Sequence, residues 1–205
     1  MKAAIIDTGC ANVRSMETAL SRAGLDTFTA RRVRDVVETG FVVLPGVGSF
    51  GSALERLQAQ GLADAVRNRI AAGAPTLSVC VGLQLLGSGS EESPDARGLA
   101  VVAARAERFA PDERVPHMGW NLVRSDWLPQ GYAYFANSYR FGDEAIEDLR
   151  GRGWQVATTQ HGGEFVAAMR RGKVLACQFH PELSGAWGER LLRDWIECGK
   201  EAAAC

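Results

Sequence analysis

Along the first half of the chain, short apolar runs of strand length alternate with stretches whose apolar residues recur at helical spacing. Residues 3–7 (AAIID), 41–44 (FVVL) and 75–79 (PTLSV) read as buried strands. Residues 12–23 place Val13, Met16, Leu20 and Ala23 on one face and predict a helix. Residues 52–72 predict a helical stretch broken near Gly61, and residues 81–86 a short apolar helix. Strands separated by helices imply a parallel sheet with right-handed crossovers. The second half reads differently, with strands expected at 99–104, 132–136, 154–160, 165–170 and 174–179. His161-Gly162-Gly163 and Arg171-Gly172 lie between the last three and look like hairpin turns. Residues 187–198 predict a closing helix with Leu191, Leu192, Trp195 and Ile196 as its apolar stripe. The longest polar loop, residues 87–98 (GSGSEESPDARG), reads as functional or mobile rather than as a domain linker. The expected fold is α/β: an open, mostly parallel sheet flanked by helices, with an antiparallel strand extension in the C-terminal half and residues 1–205 as one domain.

Composition narrows the function classes. A chain of 205 residues with 46% hydrophobic and 23% charged residues has the make-up of an ordinary globular domain. That length builds a core without help from disulfides or a structural metal. Lys plus Arg number 23 against 24 Asp plus Glu, so the basic excess of a nucleic-acid partner is missing. No apolar run approaches the roughly 20 residues that span a bilayer, and the N-terminus lacks the pattern of a signal peptide. A soluble cytoplasmic protein, binding neither nucleic acid nor membrane, is expected. The five cysteines (Cys10, Cys80, Cys177, Cys198 and Cys205) include no CxxC pair, and there are only three histidines. Neither a disulfide framework nor a metal site is indicated, and no cofactor is expected. What remains is whether one cysteine is a nucleophile.

Cys80 has the setting for it. In PTLSVCVGLQLL a short apolar strand runs into Cys80 and an apolar helix begins at once, the pattern of a nucleophile elbow. Ser78 and Gly82, small residues on either side, let strand and helix pack closely. A helix N-terminus favours thiolate, and the Val81 backbone N–H would face an oxyanion formed on a substrate carbonyl. The alternative is a buried apolar cysteine, a common place for this residue. His180, in CQFHPELS, follows another apolar strand, and Glu182 two positions on would share its side in extended backbone. Glu182 then orients one imidazole nitrogen while the other faces the thiol. Read alone, His-Pro-Glu is more readily a loop with an exposed charge than a catalytic pair. A third element, Pro45-Gly46-Val47-Gly48-Ser49-Phe50, ends the strand at 41–44 with a glycine loop whose N–H groups would complete an oxyanion hole. A phosphate loop or a plain turn is the competing reading, although the Lys-Ser/Thr of a P-loop is missing.

These three elements, in this order, resemble the class I (triad) glutamine amidotransferases. The segments Val115-Pro116-His117-Met118-Gly119-Trp120-Asn121, Tyr134-Phe135-Ala136-Asn137-Ser138-Tyr139 and Asp7-Thr8-Gly9-Cys10-Ala11-Asn12 look like the glutaminase subunits of imidazole glycerol phosphate synthase. The resemblance runs from Ile5 to the final helix. It implies hydrolysis of glutamine by a Cys80–His180–Glu182 triad, with ammonia passed to a separate cyclase subunit, a TIM barrel, in a heterodimer. It also implies an oxyanion strand at Gly46, Val47 and Gly48 whose peptide rearranges when the partner binds its own ligand, with Val81 completing the hole. Substrate contacts map to Gly46, Gly48, Gln84, Glu92, Ser138 and Tyr139, and partner contacts to Asn12, Trp120 and Tyr134. Gln84 stands out independently as the one polar residue of an apolar helix, one turn beyond Cys80. Trp and Tyr are also the residue types that anchor interfaces.

The chain departs from the family pattern at several positions. Ser78 replaces a common Gly, Thr8 and Ala11 replace Tyr and Gly, Asn137 replaces His, and Leu183 stands where the family has a Lys beside the triad. The last change bears on docking and keeps open the same glutaminase chemistry feeding another synthase, such as one of an unusual-sugar pathway. A non-catalytic partner-binding module is the reading from another class, and the intact Cys80, His180 and Glu182 argue against it.

Overall fold

A computed structural model describes residues 1–9 and 13–201. The first half comprises β1 (Lys2–Ile6), α1 (Val13–Arg22), β2 (Asp26–Ala30), α2 (Val33–Glu38), β3 (Phe41–Leu44), α3 (Phe50–Ala59), α4 (Ala63–Ala71), β4 (Thr76–Val79) and α5 (Val81–Leu85). There follow β5 (Gly89–Ser90), β6 (Ser93–Arg97), β7 (Arg105–Arg108), β8 (His117–Val123), β9 (Gly131–Asn137) and β10 (Tyr139–Arg140). The chain continues through α6 (Asp143–Gly151), β11 (Gln155–Gln160), β12 (Glu164–Arg171), β13 (Val174–Cys177), a 3-10 turn at Pro181–Leu183 and α7 (Gly185–Lys200).

The main sheet has the order β11-β12-β13-β4-β3-β1-β2. From β2 to β13 its neighbours pair parallel, while β12 and β11 continue it antiparallel, as the sequence leads one to expect. All positions of β3, β4 and β13 are buried. A strand covered on both faces must be apolar throughout, which is why these runs lack polar alternation. Gly61, at φ +68°, separates α3 from α4, and the Leu62 N–H returns to the Leu57 carbonyl at 3.0 Å to close the first helix.

Two expectations are corrected. Residues 99–104 form no strand: the N–H groups of Leu99, Val101 and Ala100 donate to the carbonyls of Leu85, Leu86 and Gly87 at 2.8, 2.9 and 3.0 Å. The segment wraps the end of α5 and satisfies its orphan carbonyls, with Leu99 and Val102 in the core, and the strand β7 begins only at Arg105. The polar stretch 87–98 is not a simple loop, because it contains the paired strands β5 and β6 of a second sheet ordered β10-β7-β5-β6. Elements the pattern does not announce include β2, α2, β7, β8, β10 and α6. In β2 (DTFTA) only Ala30 is buried, and α6 buries just Ile146 and Leu149, so neither carries a full apolar signature.

For the chemistry, sheet order matters most. β4 lies between β3 and β13, so the loops that follow these three strands open side by side at the carboxyl edge, where open α/β sheets bind ligands.

Candidate active site

Cys80 sits between β4 and α5 at φ 55° and ψ −112°, a conformation that side chains other than glycine rarely adopt. It is the sharp strand-to-helix turn of a nucleophile elbow. Two close approaches make the turn possible. A Cβ on Gly82 would stand 2.1 Å from the Leu44 carbonyl oxygen, and one on Gly46 would stand 2.5 Å from the Gly82 nitrogen. The Cys80 N–H donates to the Cys177 carbonyl at 2.7 Å, tying the elbow to β13. Ser78 fits within β4, fully buried, with its Oγ lacking a partner.

His180 lies three residues beyond the end of β13. Its N–H donates to the Tyr134 carbonyl at 2.9 Å, and its own carbonyl accepts from Ser184 Oγ at 2.6 Å. Nδ1 lies 2.8 Å from Glu182 Oε1, and the imidazole shares its cavity with Cys80. The pairing with Glu182 is as expected, but its cause differs. Pro181–Leu183 is a 3-10 turn, closed by the Leu183 N–H on the His180 carbonyl at 3.1 Å, not extended chain. Burial by itself would pull the His180 pKa down. Hydrogen bonds and charge from Cys80 and Glu182 outweigh it and lift the pKa to about 10, so the imidazolium persists at neutral pH. Cys177, fully buried and near the Glu182 charge, is pushed well up and stays a thiol.

Cys80 and His180 face a cavity of about 240 Å³. Val47, Gly48, Val81, Gln84, Glu92, Ser138 and Tyr139 line it, together with Ala136 and Asn137. Gly46 does not; it packs under the elbow against Val81 and Gly82. Its carbonyl accepts the Val81 N–H at 3.3 Å, so the donor expected for an oxyanion is engaged by the loop. Glu92 Oε2 accepts from the Phe50 N–H at 2.6 Å, and Ser93 Oγ from the Gly51 N–H at 3.1 Å, which pins the β5–β6 hairpin to the start of α3. Gln84 Nε2 donates to the Tyr139 carbonyl at 2.9 Å and to Gln178 Oε1 at 3.1 Å. Gln178 is the residue that sequence reasoning passes over. Its Nε2 lies 3.7 Å from Cys80 Sγ, and its signal was a lone amide in the apolar run before His180.

Of the expected partner contacts, Trp120 is exposed and Tyr134 half-buried, their rings 6.2 Å apart, while Asn12 lies outside the described residues. His117 is buried behind them, stacked at 4.2 Å on His161. Burial, helped by the charge of His161, lowers its pKa to about 4 and keeps it neutral, a structural histidine. Larger clefts of about 620 and 820 Å³ lie elsewhere, and neither is lined by a cysteine or histidine. Among the described residues, no cluster of His, Cys, Asp or Glu is arranged to hold a metal ion. No described helix is long and apolar enough to cross a membrane.

Residues 4–198 match the family model described as glutamine amidotransferase class-I, and the chain belongs to that family. Structures agree on the fold. A crystal structure of a glutamine amidotransferase superposes with a TM-score of 0.75 at 24% identity, covering 97% of this chain and 99% of its own. The acivicin-bound glutaminase domain of Trypanosoma brucei CTPS superposes at 0.67 with 14% identity, covering 100% of this chain and 96% of its own. Within the class the chain falls among the HisH subunits of imidazole glycerol phosphate synthase. It is 39% identical to that of Methanothermobacter thermautotrophicus, over 95% of this chain and 97% of the relative. It is also 39% identical to that of Deinococcus radiodurans, over 93% and 91%. In Schizosaccharomyces pombe the matching protein is imidazole glycerol phosphate synthase hisHF, 37% identical over 96% of this chain but only 38% of the relative.

Proposed function

We propose that residues 1–205 act as a single glutaminase domain that hydrolyses glutamine through Cys80, His180 and Glu182. The ammonia passes to a TIM-barrel cyclase subunit in a cytoplasmic heterodimer, within the histidine-pathway imidazole glycerol phosphate synthase. The observation that carries this reading is the Cys80–His180–Glu182 array at the carboxyl edge of three adjacent strands, with Cys80 and His180 opening on a cavity of about 240 Å³.

In this mechanism the Cys80 thiolate attacks the carboxamide carbon of glutamine. The His180 imidazolium then gives its proton to the departing nitrogen, releasing ammonia and leaving a thioester on Cys80. Neutral His180 next takes a proton from water as the water oxygen attacks the thioester. Collapse returns glutamate and the thiolate–imidazolium pair. Glu182 keeps the ring oriented and offsets its charge in both halves. Both amide protons of Gln84 are engaged, so its Oε1 is the atom that accepts a hydrogen bond from substrate. The backbone at Ser138 and Tyr139 completes the seat. The oxyanion falls to the Gly48 and Val81 N–H groups, and Val81 becomes available only once the Gly46 carbonyl turns away. That turn gives a physical basis for coupling catalysis to a bound partner.

Glutamate release from glutamine tests the reading, measured with the chain alone and with the cyclase carrying its nucleotide ligand. Strong stimulation by the liganded cyclase, abolished in Cys80→Ala, is expected. Turnover indifferent to this cyclase would move the protein to another synthase, the reading that the exposed Leu183 favours. No turnover in either condition would leave a binding module.

A further inference from the structure

Gln178 has no part in the proton transfers above, yet its amide packs on the nucleophile. It is fully buried, with Nε2 at 3.7 Å from Cys80 Sγ. Which end of that amide meets the sulfur is decided at the far end of the contacts. The Tyr139 carbonyl can only accept, so Gln84 must present its NH2 group, 2.9 Å away. The same NH2 lies 3.1 Å from Gln178, which therefore presents its oxygen to Gln84 and its own NH2 to Cys80. Asn137 Nδ2 donates to the Tyr139 carbonyl as well, at 3.0 Å, and holds that anchor in place. Reversing either glutamine would oppose two donors or two acceptors in the interior, a costly arrangement.

We infer that Gln178 is a positioning residue for the hydrolysis of glutamine: its N–H hydrogen-bonds the Cys80 sulfur and favours thiolate over thiol, with its polarity imposed by Gln84 and the Tyr139 carbonyl. The inference rests on Cys80 being the nucleophile. The ionisable groups of the cavity that the sulfur faces are His180, with Glu182 behind it on the turn after β13, Glu92 from the β5–β6 hairpin, and Tyr139. β13 itself contributes the Cys177 carbonyl, which is occupied by the Cys80 N–H. His180 is neutral from the departure of ammonia until water attacks, and it is recharged only as the sulfur is about to leave. A neutral amide donor keeps its protons throughout, so Gln178 supports the thiolate both as attacking and as leaving group.

The test is the pH dependence of Cys80 alkylation by iodoacetamide, followed on the Cys80 peptide by mass spectrometry. It compares the full chain with Gln178→Met, which keeps the length and removes the donor, and Gln178→Glu, which keeps the shape and sets a carboxylate there. Gln178→Met is expected to move the alkylation midpoint upward by about one pH unit and to slow alkylation at neutral pH about tenfold. It should also lower kcat for glutamine much more than it changes KM. Gln178→Glu should move the midpoint further in the same direction, and it carries the test if the Met variant fails to fold. Alkylation profiles that superimpose on the unmodified chain overturn the inference. A midpoint that responds to Gln178 in a chain that never turns over glutamine keeps the hydrogen bond to the sulfur but sinks the glutaminase reading, and with it Gln178's part in hydrolysis. Full turnover with no response at Gln178 does the reverse.

Discussion

Burial and partnership oppose each other most sharply at His180. A buried imidazole loses its proton easily unless something nearby holds it, and here the thiol side and Glu182 both do. Glu182 is nearly as buried, and its Oε2 has no hydrogen-bond partner, so its charge is directed at the ring through Oε1 alone. The His180 ring is therefore expected to titrate by NMR far above its ordinary 6.5, near 10. Glu182→Gln should bring that midpoint down and reduce kcat by about 100-fold. The sign for stability follows from linkage. Because the folded pKa is raised, the stabilisation is complete below pH 6.5 and is lost as pH rises toward 10. Urea unfolding across that window should thus weaken more steeply in the unmodified chain than in Glu182→Gln. A ring that titrates near neutrality would show that the pair does not hold its proton.

Among the elements, the elbow depends on backbone contacts that no side-chain rearrangement relieves. The atom that a Cβ on Gly82 would strike is the Leu44 carbonyl oxygen, fixed in β3, at 2.1 Å. Gly82→Ala should then destabilise the chain by more than about 3 kcal/mol or prevent folding, judged by urea unfolding. Gly40→Ala, which meets nothing within 4 Å, should cost less than about 1 kcal/mol. The elbow was legible in the sequence because it is local: an apolar run, Cys80, then a small residue that the turn requires. The buried strands were legible for the same reason, since burial on both faces leaves an unbroken apolar run. Residues 99–104 misled because apolar residues can be buried by capping a helix end as well as by pairing, and composition does not separate the two. Gln178 was hidden because its partners lie far off in the chain. Its meaning comes from Gln84 and Tyr139, and nothing near it in sequence marks it as more than a buried amide. The meeting of Cys80 with His180 was suggested by motifs but produced by the parallel pairing of β4 with β13.

On the scale of the whole molecule, the β8–β9 hairpin joins an exposed apolar face to the cavity that Cys80 and His180 line. Register sets Trp120 opposite Tyr134, and Met118 opposite Ala136. The alternation sends Met118, Trp120 and Tyr132 outward, at 65%, 56% and 60% exposure, while His117, Phe135 and Asn137 anchor the other face in the core. Large apolar side chains gathered on one exposed face mark a docking surface. Ala136 and Asn137 of the same hairpin wall the cavity, and the Tyr134 carbonyl accepts the His180 N–H at 2.9 Å. A partner seated on this face would thus be one hydrogen bond away from the His180 imidazole. Trp120→Ala should weaken association with the cyclase by about 30-fold or more, the scale of an aromatic anchor. It should also lower the stimulation of glutaminase activity at fixed cyclase concentration. Because more than half of Trp120 is exposed, the unfolding midpoint of the isolated chain should stay within about 0.5 kcal/mol of its original stability. Titration of the cyclase by calorimetry, beside urea unfolding of the free chain, separates the two effects. Unchanged affinity with unchanged stability would place the docking surface elsewhere, and the link from this hairpin to His180 would then have no partner to act on it.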